Sequence, residues 1–160
     1  MLVRETTDHR SPLAIERFSP GLRLPLLTTA AGRAHLAFCP LGQRESLLEI
    51  LRRSTHEVDK LAHNRPELDK ILDDTRERGY ASAVHTRRVS DEISIAVPVL
   101  SEDQVLATVV VRFAETAVPL KTAAERFVPR LQDAATRIQQ TFVEQQLTPP
   151  YQSPSRIPAR

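Results

Sequence analysis

Two runs of β-branched and apolar residues, 93–99 and 105–113, flank the short polar segment Ser101-Glu102-Asp103-Gln104. Strands joined by so short a loop can pair only antiparallel, because a parallel return needs a long crossover. The hairpin therefore commits the second half of the chain to an antiparallel sheet. Side chains alternate between faces along a strand. Thr108, Val110 and Arg112 then share one face, and Val105, Ala107, Val109, Val111 and Phe113 the other. On the neighbouring strand Ser94, Ala96 and Pro98 share a face.

Upstream, residues 2–7 and 13–18 read as two short strands, with turn-forming residues 8–12 between them and Ser19-Pro20-Gly21 closing the second. Residues 29–38 form an Ala-rich helix that stops before Pro40. Leu47, Leu48, Ile50 and Leu51 make residues 43–53 an amphipathic helix. A charged connector covers 55–65. Asn64 is placed to cap a further helix, with Pro66 in its first turn and Leu68, Ile71, Leu72 and Thr75 on its inner face. Arg76, Arg78 and Gly79 mark its end, and residues 80–85 read as a strand. Near the C-terminal end Ala124, Phe127, Val128, Leu131, Ala135, Ile138 and Phe142 recur at helical spacing. Pro129 predicts a kink or a restart there. Strands grouped rather than alternating with helices argue for an α+β fold with a mainly antiparallel sheet. One domain is expected over 1–146. Residues 147–160 hold four of the twelve prolines and almost no core residues, and read as a disordered tail.

The totals narrow the function classes. Lys and Arg number 22 against 20 Asp and Glu, interspersed, so no phosphate-tracking stripe is present. No apolar run approaches the roughly 20 residues that span a bilayer, and the first residues lack a signal-peptide centre. One cysteine excludes an internal disulfide and a cysteine-based zinc site. A cytoplasmic location, no membrane partner and no cofactor are expected.

Thr28-Thr29 leads directly into Ala30-Ala31-Gly32. A helix start of this kind aims backbone N–H groups, at the positive end of the helix dipole, at a carboxylate or phosphate. The same threonines also serve as ordinary N-caps. Arg112, in an otherwise apolar strand, is either a solvent-facing strand-end residue or a bidentate carboxylate clamp. Ser94 is either part of a small-residue pocket floor with Ala96 or a satisfied sheet hydroxyl. Cys39 lies one helical turn from His35, but no orienting carboxylate accompanies them, and a buried free thiol is the commoner state. His9, His56, His63 and His85 have no metal-ligand spacing, so no metal site and no catalytic residue is expected. Asp73-Asp74 and Glu102-Asp103 read as solvated charge. Arg87-Arg88 reads as exposed rather than as a gate.

In order and spacing, the segment Pro25-Leu26-Leu27-Thr28-Thr29-Ala30-Ala31-Gly32-Arg33-Ala34-His35-Leu36-Ala37-Phe38-Cys39-Pro40, then Arg78-Gly79-Tyr80, then Ser94-Ile95-Ala96-Val97-Pro98-Val99 resemble the effector-binding domain of IclR-family transcriptional regulators. The resemblance covers roughly residues 1–143. Val3-Arg4-Glu5-Thr6-Thr7 and Leu36-Ala37-Phe38-Cys39-Pro40 look most like the branch that regulates hydroxyphenylpropionate breakdown. The family implies a curved sheet of about six antiparallel strands with helices packed on it, of the GAF/profilin-like sort. It implies a small organic acid as effector, a homodimer or tetramer, and DNA contact through an N-terminal winged helix that residues 1–160 do not contain. Carried over by position, effector contacts fall on Thr28, Thr29, Ala30, Ala31, Gly32, Ser94, Val110 and Arg112. Phe38 and Ala96 would meet the apolar part of the ligand. The family often has an acid after the Gly-Tyr pair, where Ala83 stands here, and small polar residues where Val110 and Arg112 stand. Those departures favour an aromatic carboxylate over a tiny polar acid. Competing expectations are an oligomerisation module with no effector and a small hydrolase using Cys39.

Overall fold

The computed structural model describes residues 1–10, 17–85 and 92–147. Helix α1 (Ala30–Phe38), helix α2 (Leu41–Arg52), a 3-10 segment (Glu57–His63) and helix α3 (Arg65–Arg78) come first. Strands β1 (Ala81–His85), β2 (Glu92–Ser101) and β3 (Gln104–Ala114) follow, and helix α4 (Leu120–Leu147) ends the described chain.

The boundaries follow local chemistry. Thr29 caps α1, its hydroxyl accepting from the Gly32 amide at 3.1 Å. Asn64 caps α3 reciprocally: its carbonyl oxygen accepts from the Glu67 amide, while its amide donates to the Glu67 carboxylate at 2.7 Å. Gly79 ends α3 in the left-handed region, φ 74°, where a Cβ would be disfavoured. The α4 helix runs through Pro129 without a restart. The expected tail from 147 lies outside the described residues except for Leu147, which closes α4.

The sheet is three-stranded among the described residues, antiparallel, in the order β1-β2-β3. This corrects the expectation of about six strands. The expected strand at 13–18 lies outside the described residues over 13–16, as does any hairpin it would make with residues 2–7. Among the described residues the Ser19-Pro20-Gly21-Leu22 turn, closed by the Leu22 amide on the Ser19 carbonyl at 3.1 Å, is followed by residues 21–24 lying against 1–3. Gly21, at φ 89°, is what that turn requires. The pairing amounts to one bridge, Leu2 with Arg23. Pro20 and Pro25 bracket the return segment and keep it short.

Strand β2 is central and buried on both faces, which explains its continuous apolar run. One face packs on α4: Ile95, Val97 and Val99 join Ala123, Val128 and Ala135, with Phe113 against Phe127. The other face packs on α1 through alanines, Ala30 and Ala34 against Ala81, Ala83 and Ala96. Small side chains let the helix lie close to the sheet. A second core, of Leu27, Leu36, Leu48, Leu68 and Leu72, joins α1, α2 and α3. Arg65 ties α2 to α3, donating to Glu45 at 2.6 and 2.7 Å and to Asp69 at 2.8 Å.

Candidate functional site

The strand register sets Ser94 opposite Arg112, Ala96 opposite Val110 and Ala83 opposite Ser94. These residues therefore share the sheet face that α1 covers, and the expected sheet contributors to the site are brought together. They differ in access. Ala96 is fully buried under α1, Ser94 is buried, and Val110 is 39% exposed. The Ser94 hydroxyl donates to the Ala83 carbonyl at 3.3 Å. Phe38 is partly buried and packs against the helical core.

At the start of α1 the Thr29 hydroxyl is committed twice, accepting from Gly32 and donating to the Pro25 carbonyl at 2.7 Å. Gly32 stands against backbone: a Cβ there would lie 2.2 Å from the Leu26 carbonyl oxygen. Gly32 thus permits the 25–29 turn to close over the helix. Thr28 is half-buried, and Ala30 and Ala31 are buried at the first two helical positions. Their amides belong to the first turn, which has no intrahelical acceptors. Arg33 braces the same region, donating to Leu27 at 2.9 Å and to the Ser82 carbonyl of edge strand β1 at 3.1 Å.

Arg112 sits in a built cluster. Its guanidinium donates to the Asp8 carboxylate at 2.6 Å, lies 3.2 Å from the Glu92 carboxylate and stacks 3.7 Å above the Phe18 ring. Its side chain is 12% exposed, Asp8 18% and Glu92 8%. The Asp8 carboxylate also accepts from the Phe18 amide at 2.8 Å. Of the two readings of Arg112, the solvent-facing one does not describe this geometry. Asp8, Phe18 and Glu92 escaped the sequence reading. The only available signal was that a cation in an apolar strand demands a buried acid partner, and nothing local says which of twenty acids it is.

Cys39 is buried, and its thiol donates to the Leu36 carbonyl at 3.6 Å. Burial pushes its pKa up, opposed by the nearby Arg44. Burial also lowers the His35 pKa. A thiol held protonated and out of solvent is a poor nucleophile. Iodoacetamide is therefore expected to leave Cys39 unmodified in the folded protein near neutral pH and to alkylate it fully in denaturant, read by intact mass; rapid modification of the native protein would contradict this environment. Among the described residues no group of three or more His, Cys, Asp and Glu side chains could hold a metal ion. None of their helices is long and apolar enough to cross a membrane. An open groove lined by Ala134, Arg137, Ile138 and Phe142 runs along α4 alone, away from the Arg112 face.

The family model of the bacterial transcriptional regulator IclR C-terminal domain matches residues 9–140. The chain is 31% identical over 126 residues to a probable transcriptional regulator, SauR, of Cupriavidus necator, covering 78% of this chain and 49% of that protein. A solved IclR-family regulator from Brucella abortus superposes with a TM-score of 0.62 at 26% identity, covering 79% of this chain and 48% of that one. The Thermotoga maritima IclR structure shares the fold, with a TM-score of 0.64 at 21% identity over 79% of this chain and 51% of that one. This chain belongs to the IclR C-terminal domain family, whose members here are transcriptional regulators rather than enzymes. It spans about half the length of these relatives.

Proposed function

We propose that this domain senses a small organic acid, with an aromatic carboxylate as the favoured class, for a bacterial IclR-type regulator of aromatic acid catabolism acting in the cytoplasm. The hydroxyphenylpropionate branch is the specific pathway we favour. The observation that carries this reading is the Arg112 cluster: a nearly buried guanidinium, backed by an aromatic ring, already engaged by carboxylate oxygens on the sheet face beside Ser94 and Val110. Guanidinium forks match carboxylates in shape and charge. The α1 start supports it. Its first turn, with the Ala30 and Ala31 amides, lacks intrahelical acceptors and carries the positive end of the helix dipole, and the helix packs on the same sheet face through Ala30 and Ala34. Thr28, Thr29 and Gly32 shape that turn, while Ala96 and Phe38 back the region from within the two cores.

Acid binding would favour one arrangement of a homodimer or tetramer over another, since a ligand shifts states only through differential affinity. DNA contact would run through the regulator's winged helix. The half-exposed Ile138 and the Val143 side chain on α4 support the self-association part of this reading. A thermal-shift screen against phenylpropionates, hydroxybenzoates, protocatechuate, short keto acids and glyoxylate tests it. A ligand that binds the folded state alone raises the Tm with its concentration. Selective stabilisation by aromatic acids is the expected result; no stabilisation by any acid in the millimolar range would leave self-association as the domain's role.

A further inference from the structure

We infer that Asp8 is an internal surrogate for the effector carboxylate, and that an incoming acid displaces it from Arg112 and so frees the N-terminal segment. This rests on the acid-sensing reading above.

The Asp8 carboxylate does at Arg112 what a ligand carboxylate would do: it takes a charge-assisted hydrogen bond at 2.6 Å. The two acids at this guanidinium are anchored very differently. Glu92 belongs to central strand β2, is buried, and faces Ala114 across a full ladder. Asp8 belongs to a 3-10 turn, Asp8–Arg10, with no buried residue. The segment before that turn is held to residues 21–24 by a single bridge and a few backbone hydrogen bonds. Segments with few buried contacts open at low free-energy cost. Asp8 is thus the partner that can leave, and Glu92 the one that stays.

Charge makes the exchange one for one. Two carboxylates already share Arg112. A third, added without release of Asp8, would place a further anion beside a nearly buried pair at a large desolvation cost. Replacement of Asp8 by an external acid conserves the charge of the cluster. The external acid also gains what Asp8 does not use, the 39% exposed Val110 surface on the same face. The released element is specific. Asp8 also accepts from the Phe18 amide, and Phe18 covers the guanidinium, so displacement loosens both ends of the N-terminal return together.

The test uses benzoate as probe, with wild type, Asp8→Asn and Arg112→Met. Asp8→Asn keeps the shape of the contact and removes the competing charge. Benzoate affinity by calorimetry is expected to be about tenfold tighter in Asp8→Asn than in wild type, because the competent state is no longer taxed by the internal carboxylate. Arg112→Met should not bind it. In wild type, saturation with benzoate should speed amide exchange in residues 3–10 while β2 stays protected. Equal or weaker binding by Asp8→Asn, with Arg112→Met still inactive, would overturn the displacement and leave acid sensing at Arg112 intact. Equal binding by all three proteins would overturn both. Benzoate binding to none of them would overturn the displacement, since an uncovered Arg112 should take it; acid sensing would then rest on the outcome of the wider acid screen.

Discussion

Replacing Gly32 with alanine is expected to cost roughly 3 kcal/mol of stability, toward the upper end of typical overpacking penalties. Three backbone atoms of Leu26 would lie 2.2–2.5 Å from the new Cβ. Backbone cannot rotate away as a flexible side chain does, so either the 25–29 turn lifts or α1 moves off the sheet. Both outcomes break contacts: the turn carries Leu27, fully buried in the helical core, and α1 carries Ala30 and Ala34 against β1 and β2. Intrinsic helix propensity acts the other way, since Ala is better than Gly by about 1 kcal/mol in a helix. Urea unfolding of the two proteins decides between them. A lowered midpoint with an unchanged slope is the expected result; a raised midpoint would mean that Gly32 is a helix residue without a packing role.

Replacing Arg112 with alanine is expected to destabilise the fold by about 3 kcal/mol, the low end for breaking a buried ion pair, because Asp8 and Glu92 keep some solvent contact. The loss has two parts, an unpaired buried Glu92 and an uncovered Phe18 ring. Arg112→Met combined with Glu92→Gln is expected to recover most of it, since the buried charges are then removed together and the methionine fills the space over Phe18. Thermal unfolding of the single and double variants checks this. A single variant as stable as wild type would show that the cluster carries no structural weight.

The fold was legible in proportion to how local its determinants are. The hairpin of β2 and β3, the Asn64 and Gly79 caps and the Thr29 cap each rest on residues a few positions apart, and each formed where the sequence predicts it. The loop between β2 and β3 tightened to Glu102-Asp103, with Glu102 at φ 51° and Ser101 paired to Gln104. In the N-terminal region the turn at Ser19-Pro20-Gly21 formed where its residues predict it, but the partner of residues 1–3 was not legible, since their pairing with 21–24 joins positions some twenty residues apart. The charged connector hid a 3-10 segment, since Glu57–His63 lacks a sustained helical stripe.

The candidate site was legible in part. Period-two alternation put Ser94 and Ala96 on one face of β2, and Val110 and Arg112 on one face of β3; the register of those strands then joined the two sets on the sheet face that α1 covers. Sequence could not choose between a ligand clamp and a solvent-facing residue at Arg112, because the deciding groups lie far away: Asp8 is separated from it by 104 positions. Phe38, carried over from the resemblance, ends α1 partly buried against the helical core.

Backbone and arginine-side-chain NMR during titration of the uniformly labelled domain with the acid that stabilises it most is the measurement that bears on the central claim most directly. The account expects the largest shifts at the Ala30 and Ala31 amides, at Ser94 and at the Arg112 Nε–H. Shifts confined to the α4 groove around Ile138 and Phe142, with Arg112 unmoved, would contradict it.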